Sequence, residues 1–301
     1  MAGFSSLDDF INQATTNGKF WRTDWNKLTF GTTAHTAGTW YLLNQTGGNP
    51  AAGSILGTGT NLAFQATSDS TATAAGIQHG GNVGGGTGFK HIINASAFSA
   101  SATTMPAVFM LVDMLGFYPI TTVTTTGAQT LNNTVTLPRY TDGAGVQAII
   151  VPSTVMGAGT PTVTLGYTNS TGTGSRATPS TPALPLINAT APVSQVCYSG
   201  TGSGKYGPFL PLQAADAGIR SVQTINFSAT MTSGVQNLIL VKPLLTLPMT
   251  TIGVAAERDL LNQVPSLPKV YDGACLQWMM YAGAATPVNS PFYGHLDFAW
   301  S

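Results

Sequence analysis

Charge is what this sequence has least of. Of 301 residues only 7% are Asp, Glu, Lys or Arg, and 11 basic against 11 acidic residues leave a formal net charge of zero. An average soluble protein carries about 25%. Leu28 to Ser68 and Ser221 to Val241 hold no charged residue at all. Such a surface offers little repulsion to keep copies apart, so much of it is expected to lie against other subunits. The same scarcity excludes nucleic acid as a partner, because phosphate binding needs clustered Lys and Arg. Carboxylates number ten Asp and one Glu, Glu257. Glycoside hydrolysis needs two of them about 5–10 Å apart. Glu257 and Asp259 flank Arg258, which reads as a surface ion pair.

Long apolar runs are missing too. Met105 to Val112 is the longest, and Asp113 ends it, far short of the roughly 20 residues a membrane span requires. No basic region followed by an apolar run stands at the N-terminus, so no signal peptide is read. Only two cysteines occur, Cys197 and Cys275, and they read as buried free thiols. His35, His79, His91 and His295 are scattered, none at ligand spacing from another, so neither metal nor other cofactor is expected. Gly200 to Lys205 looks like a phosphate loop, but Ser199 stands where the first Gly belongs and Tyr206 replaces the magnesium-binding hydroxyl. The Gly80–Gly88 run lacks the strand and helix of a dinucleotide site. Both read as loops. With no Gly-x-Ser-x-Gly elbow either, no enzyme is expected.

What the chain does contain, it contains twice. Leu137-Pro-Arg-Tyr-Thr-Asp-Gly-Ala144 returns as Leu267-Pro-Lys-Val-Tyr-Asp-Gly-Ala274, an offset of 130 from 137 to 267. Each copy runs into an apolar strand, Val146–Val151 and Leu276–Tyr281. The echo continues upstream: Pro119–Val123 answers Pro248–Ile252, Leu111-Val112 answers Leu240-Val241, and Phe98–Thr103 answers Phe227–Thr232. Further back the register slips, yet Ala75–Gln78 still matches Ala217–Arg220. Collinear blocks at near-constant offset indicate a duplicated domain. Asp142-Gly143 and Asp272-Gly273 then read as turns at equivalent points of the two copies, not as ligands.

Within the copies the signal is β. Ile225, Phe227, Ala229 and Met231 alternate with polar residues, as do Val163, Leu165 and Tyr167, the period of a half-buried strand. Leu238 to Val241 is apolar on both faces. Helical signal is confined to Val254–Gln263 and to the N-terminus, where Phe4, Leu7, Ile11 and Ala14 make one stripe behind Ser5 or Ser6 as cap. Phe20, Trp21 and Trp25 follow. The expected architecture is all-β: two tandem, duplicated jelly-roll-like β-sandwich domains preceded by a short N-terminal helical arm. The arm takes residues 1–35, the first sandwich 36–175, a Pro/Ser/Thr-rich linker 176–192 and the second sandwich 193–301. The arm either packs on its own domain or docks on a neighbouring subunit, and Phe4, Leu7, Ile11, Phe20, Trp21 and Trp25 are the candidates by which it would dock on a partner.

Several stretches carry a resemblance. Met105-Pro-Ala-Val through Leu137-Pro-Arg-Tyr-Thr-Asp-Gly, Ser199 to Pro208, Thr250 to Asp259 and the closing Phe292 to Ser301 resemble a family of virion structural proteins of tailed bacteriophages. That resemblance implies a place in the virus particle and brings no catalytic residues with it. The leading expectation is a capsid decoration (cement) protein on the virion surface, assembled in the host cytoplasm. Its partners would be the major capsid protein and copies of itself, a homotrimer presenting six similar domains, with no membrane involved. The alternatives are a double-jelly-roll major capsid protein, or a tail or fibre module binding host glycan through aromatics among Trp40, Tyr206, Tyr293 and Trp300.

Overall fold

Alternating apolar positions, punctuated by Gly and Pro, make this chain a succession of strands. The computed structural model describes residues 4–29, 34–53, 56, 61–69, 76–84, 88–101, 106–179, 194–196, 207–263 and 266–301. A short helix α1 (Leu7–Ile11) opens it, capped by Ser6. Next come β1 (Phe20–Leu28), β2 (Thr39–Leu42), β3 (Gly48–Asn49) and β4 (Gln65–Ala66). The first copy supplies β5 (Phe89–Ala97), β6 (Ala107–Ile120), β7 (Gly127–Thr130), β8 (Gln147–Pro152) and β9 (Val163–Asn169). After β10 (Arg176–Ala177) the second supplies β11 (Ile219–Phe227), β12 (Gln236–Met249) and β13 (Ala256–Asp259). Then follow α2 (Leu260–Gln263), β14 (Lys269–Tyr271), β15 (Leu276–Ala282) and β16 (Pro291–Ala299).

These strands form three antiparallel sheets. The central one runs β2-β15-β6-β12-β8, with β4 also on β6. One outer sheet runs β13-β5-β16-β1-β3, with β14 also on β5, and the other runs β10-β9-β11-β7. Leu115, Tyr118, Ile150 and Leu238 of the central sheet pack on Leu165, Val222 and Ile225 of the β9–β11 sheet. Further along the same strands, Phe109, Leu247 and Trp278 pack on Ile92, Leu296 and Phe298 of the β5–β16 sheet. The opposite face of the central sheet, with Met114, Ile149, Ile239 and Val241, lies under Leu56, Val196 and Phe209. Leu238 to Val241 thus buries alternate residues in different cores, as its two-faced apolarity predicts. The molecule is an all-β protein of two β-sandwiches that share one sheet.

The duplication is visible strand by strand. β5 and β11, β6 and β12, and β7 and β13 have matching lengths at offsets of 129 or 130. Phe98 bridges Tyr293 as Phe227 pairs with Val163. Ile219, at the Phe89 position of β11, also makes the bond that Ile77 makes in the first copy: Ile77 N donates to Leu276 O at 2.9 Å and Ile219 N to Val146 O at 3.1 Å. Between Ile77 and β5 the first copy has residues 78–88, whereas Ile219 already begins β11. The Gly-rich run is therefore an insertion peculiar to the first copy.

The copies do not occupy separate domains. β12 of the second copy pairs with β6 and β8 of the first, and β15 of the second pairs with β6. Likewise β16 and β13 flank β5, while β9 and β7 flank β11. Each sandwich draws strands from both copies, so the boundaries expected at 36–175 and 193–301 do not coincide with any sheet. Hydrogen-bond pairing between equivalent central strands is what crosses them. Residues 180–193, most of the expected linker, lie outside the described residues.

A pseudo-two-fold axis relates the copies and passes through the β6–β12 ladder. Asp113 faces Lys242 there, its own equivalent. The ladder skips Leu115 on one strand and Leu244 on the other, so the two bulges also sit at equivalent positions.

The first 35 residues are less separate than expected. Among its described residues α1 and the π-helical turn Asn12–Thr16 lie outside the sheets, while β1 pairs along its whole length with β16. In the second copy, Val254–Gln263 forms β13 before the single turn of α2.

Candidate functional site

The two Leu-Pro-x-x-x-Asp-Gly-Ala segments meet at the pseudo-axis. Tyr140 lies edge-on to Tyr271 at 5.0 Å between ring centres, and its hydroxyl donates to Lys269 O at 3.0 Å. Leu137 anchors one core and Leu267 packs against the other. Lys269 Nζ rests 3.7 Å from the Phe89 ring centre and 4.3 Å from that of Tyr271. An open groove of about 460 Å³ between the segments is lined by Pro138, Tyr140, Asp142, Lys242 and Tyr271.

Both segments lead into equivalent strands, β8 and β15, but the turns differ. Asp142 is exposed, and its Oδ1 accepts from Ala144 N at 3.0 Å. Gly143 has φ of 76°, and a Cβ there would stand 2.4 Å from Ile219 O, so glycine is required. Gly273 has no such φ, and its turn closes from Ala274 N to Tyr271 O at 2.9 Å. Asp272 is fully buried. What separates the twins is the insertion: Val83 N donates to both Asp272 oxygens at 3.0 Å, and Gly84 N to Oδ2 at 2.9 Å. Among the described residues no loop donates to Asp142 in this way.

Two buried charge networks flank the axis. Arg139 grips Asp113 with both prongs of its fork, Nε to Oδ2 at 2.8 Å and Nη2 to Oδ1 at 2.6 Å. It also donates to Thr67 O and Met114 O, while Cys275 N donates to Asp113 Oδ1. Every polar atom of the pair is thereby used, which is what a buried ion pair demands. The second network joins Lys90, Asp272 and His79. Lys90 Nζ lies 3.6 Å from Asp272 Oδ1 and 3.2 Å from His79 Nδ1, and it donates to Gly81 O. His79 Nε2 is 3.1 Å from Ala274 O and 3.7 Å from Asp69 Oδ2. Burial, then the Lys90 charge, holds the His79 pKa down, and burial lowers that of Lys90 against the pull of Asp272. His79 is consequently neutral near pH 7.

The remaining residues singled out in the sequence scatter. Among the described residues no group of three His, Cys, Asp or Glu is placed to hold a metal. His35 is buried edge-on to Tyr41, and burial takes its pKa to about 3. His91 packs between Phe4 and Phe89, and His295 Nδ1 meets Ser96 Oγ at 2.8 Å. Burial pushes the Cys275 thiol up to about 12, an inert state; Cys197 lies outside the described residues, as do Tyr206 and 199–205. Glu257 and Arg258 make no ion pair. As neighbours on a strand they point opposite ways, Glu257 accepting from Asn94 and Arg258 donating to Thr246 O. Asp259 instead caps α2 through Leu261 N and Asn262 N. No ring contact joins Trp40, Tyr293 and Trp300 to one another; Trp40 lies tilted against Tyr281 at 5.5 Å between ring centres, and Trp300 lies by Lys90.

The N-terminal docking candidates divide. Trp25 is 2% exposed and packs on Trp278 and Phe109 at ring distances of 5.0 and 5.9 Å. It belongs to its own core and cannot reach a partner. Phe4 is half-buried against Phe10 and His91. Leu7 (62%), Ile11 (47%), Phe20 (39%) and Trp21 (44%) remain exposed. The α1 stripe is thus rotated from expectation, with Phe10 and Ala14 toward the protein and Leu7 and Ile11 outward. Trp21 lies over Gly80, where a Cβ would meet its ring at 2.5 Å.

Fold and site together define an all-β protein whose duplicated sandwiches lock at two buried charge networks, with an apolar N-terminal segment left in solvent. No family model and no curated protein matches the chain. Among solved structures, the infectious bursal disease virus VP2 subviral particle aligns at 8% identity with a TM-score of 0.18, over 97% of this chain and 86% of that one. T=1 particles derived from infectious bursal virus align at 8% identity and 0.18, over 100% of this chain and 84% of that one. At that score the likeness to viral capsid proteins is weak and carries no argument.

Proposed function

We propose that this chain is a non-enzymatic structural protein of a virus particle, a decoration (cement) protein on the capsid of a tailed bacteriophage. The observation that carries the reading is the apolar N-terminal segment: Leu7, Ile11, Phe20 and Trp21 are exposed on a chain with only 7% charged residues. Covering such side chains against a partner is favourable by about 25 cal/mol for each Å² of apolar surface removed from water. In this reading the segment lies on the major capsid protein. The two sandwiches give each copy two similar halves about the pseudo-axis, and three copies as a homotrimer would present six. The ion pairs and turns described above serve to hold strands together.

The reading is tested by immuno-electron microscopy on particles carrying this gene product. Label distributed over the outer shell supports it. Label confined to the tail or fibres supports the glycan-binding alternative instead, and shells assembled from this chain alone identify a major capsid protein.

A further inference from the structure

We propose that Lys90 and Asp272 become joined by a side-chain amide, an isopeptide bond that the folded protein forms on itself. Both side chains are fully buried, and they face each other across the β5–β14 ladder in which Lys90 pairs with Val270. Their closest approach, Nζ to Oδ1, is 3.6 Å, a contact at the long edge of hydrogen bonding. The lysine spends its donors elsewhere, on Gly81 O and His79 Nδ1, and the carboxylate takes its hydrogen bonds from the Val83 and Gly84 amides. Arg139 and Asp113, by contrast, close to 2.8 and 2.6 Å and leave no such gap.

The surroundings supply each part that acyl transfer needs. Lys90 Nζ is the nucleophile and Asp272 Cγ the electrophile. The Val83 and Gly84 amides stand where charge develops on oxygen, an oxyanion hole made of backbone. His79 is the base: its Nε2 hydrogen is fixed on Ala274 O, which turns the Nδ1 lone pair toward Nζ. Asp69, beside Nε2, steadies the imidazolium. Burial lowers the lysine pKa and so favours the free amine.

The step balances without any further reactant. His79 takes a proton from the Lys90 ammonium, and the amine attacks Cγ of Asp272. The Cγ–Nζ bond forms, His79 returns its proton to the departing oxygen, a second ammonium proton follows from Nζ, and the Cγ–Oδ bond breaks to release that oxygen as water. The third stays on the amide nitrogen. Asp69, one-fifth exposed, is the member of the set that reaches solvent.

The duplication provides an internal contrast. At offset 130 the equivalents of Lys90 and Asp272 are Arg220 and Asp142, both exposed. A guanidinium is no nucleophile near neutral pH, and no insertion covers that turn. The reactive set is built once. This bond is independent of where the protein sits in a particle.

Intact-mass measurement of the purified full-length protein decides the matter. The expected mass is that of the sequence less one water, and digestion should yield a branched peptide joining the Lys90 and Asp272 segments. Full sequence mass with only linear peptides overturns the proposal. Lys90→Arg keeps the charge and should retain the water; a water still missing from that variant places the loss elsewhere and also overturns it. His79→Gln keeps a hydrogen-bonding side chain without a basic nitrogen, and bond formation should slow by about 100-fold or more. An unchanged rate removes His79 from the mechanism.

Discussion

Asp142 and Asp272 are one residue in the repeat and two residues in the structure. Asp142 makes a single local bond in solvent, so Asp142→Ala should cost about 1 kcal/mol or less in denaturant unfolding. Arg139→Met, by contrast, leaves the Asp113 carboxylate buried without its cation, and about 3–5 kcal/mol should be lost. Equal losses in the two variants would contradict these assignments. His35 sets a pH dependence. Its folded pKa of about 3 lies below the ordinary 6.5, so between those values the unfolded chain holds a proton that the folded chain lacks. Stability therefore rises with pH across that window, by up to about 1.4 kcal/mol per unit from this group. His35→Phe should flatten the slope of the denaturation midpoint between pH 4 and 6; an unaltered slope refutes the burial of a neutral ring. These roles were only partly visible in the sequence. Asp113 shows as the residue that interrupts an apolar run, yet a lone acid in a strand carries no address for its partner, which lies 26 positions away in Arg139. Lys90 and His79 are no easier, since distance in the chain hides contact in the fold.

At the scale of elements, periodicity located most strands and missed some ends. β11 stops at Phe227 although the alternation runs on to Met231, which is buried from a loop. Alternation records which residues are buried, and a turn can bury them as well as a strand can. Among the N-terminal aromatics Trp25 departs from the docking expectation for a related reason. Trp25 has the composition of an interface anchor, and only its register opposite Gly294 puts it in the core. The helix itself buries no residue fully. Removing residues 4–17 should therefore leave the thermal midpoint within about 4 °C of the intact protein. Under the proposed function the same deletion should abolish binding to the shell, read by co-sedimentation with particles. Loss of folding would show that the segment is structural, and retained binding would move the docking surface elsewhere.

At the scale of the molecule, strand exchange between copies implies a single cooperative unit. Calorimetric and van't Hoff enthalpies of unfolding should agree, because neither sandwich keeps its half of the central sheet if the other melts. Chains ending at 179 or beginning at 194 should each be insoluble alone and recover structure when produced together; a soluble, folded half would disprove the interdependence. Repetition in the sequence announced the duplication but not the exchange, since identical segments can close on themselves or on each other with the same apolar pattern.

The residue pair on the axis has a consequence of its own. Two separate, identical chains related by a true two-fold must set each axial residue against a second copy of itself, and like charges directly opposed in a ladder are destabilising. Joining both halves in one polypeptide lifts that constraint. Asp113 stands opposite Lys242, a combination open to a fused pair and closed to a symmetric one.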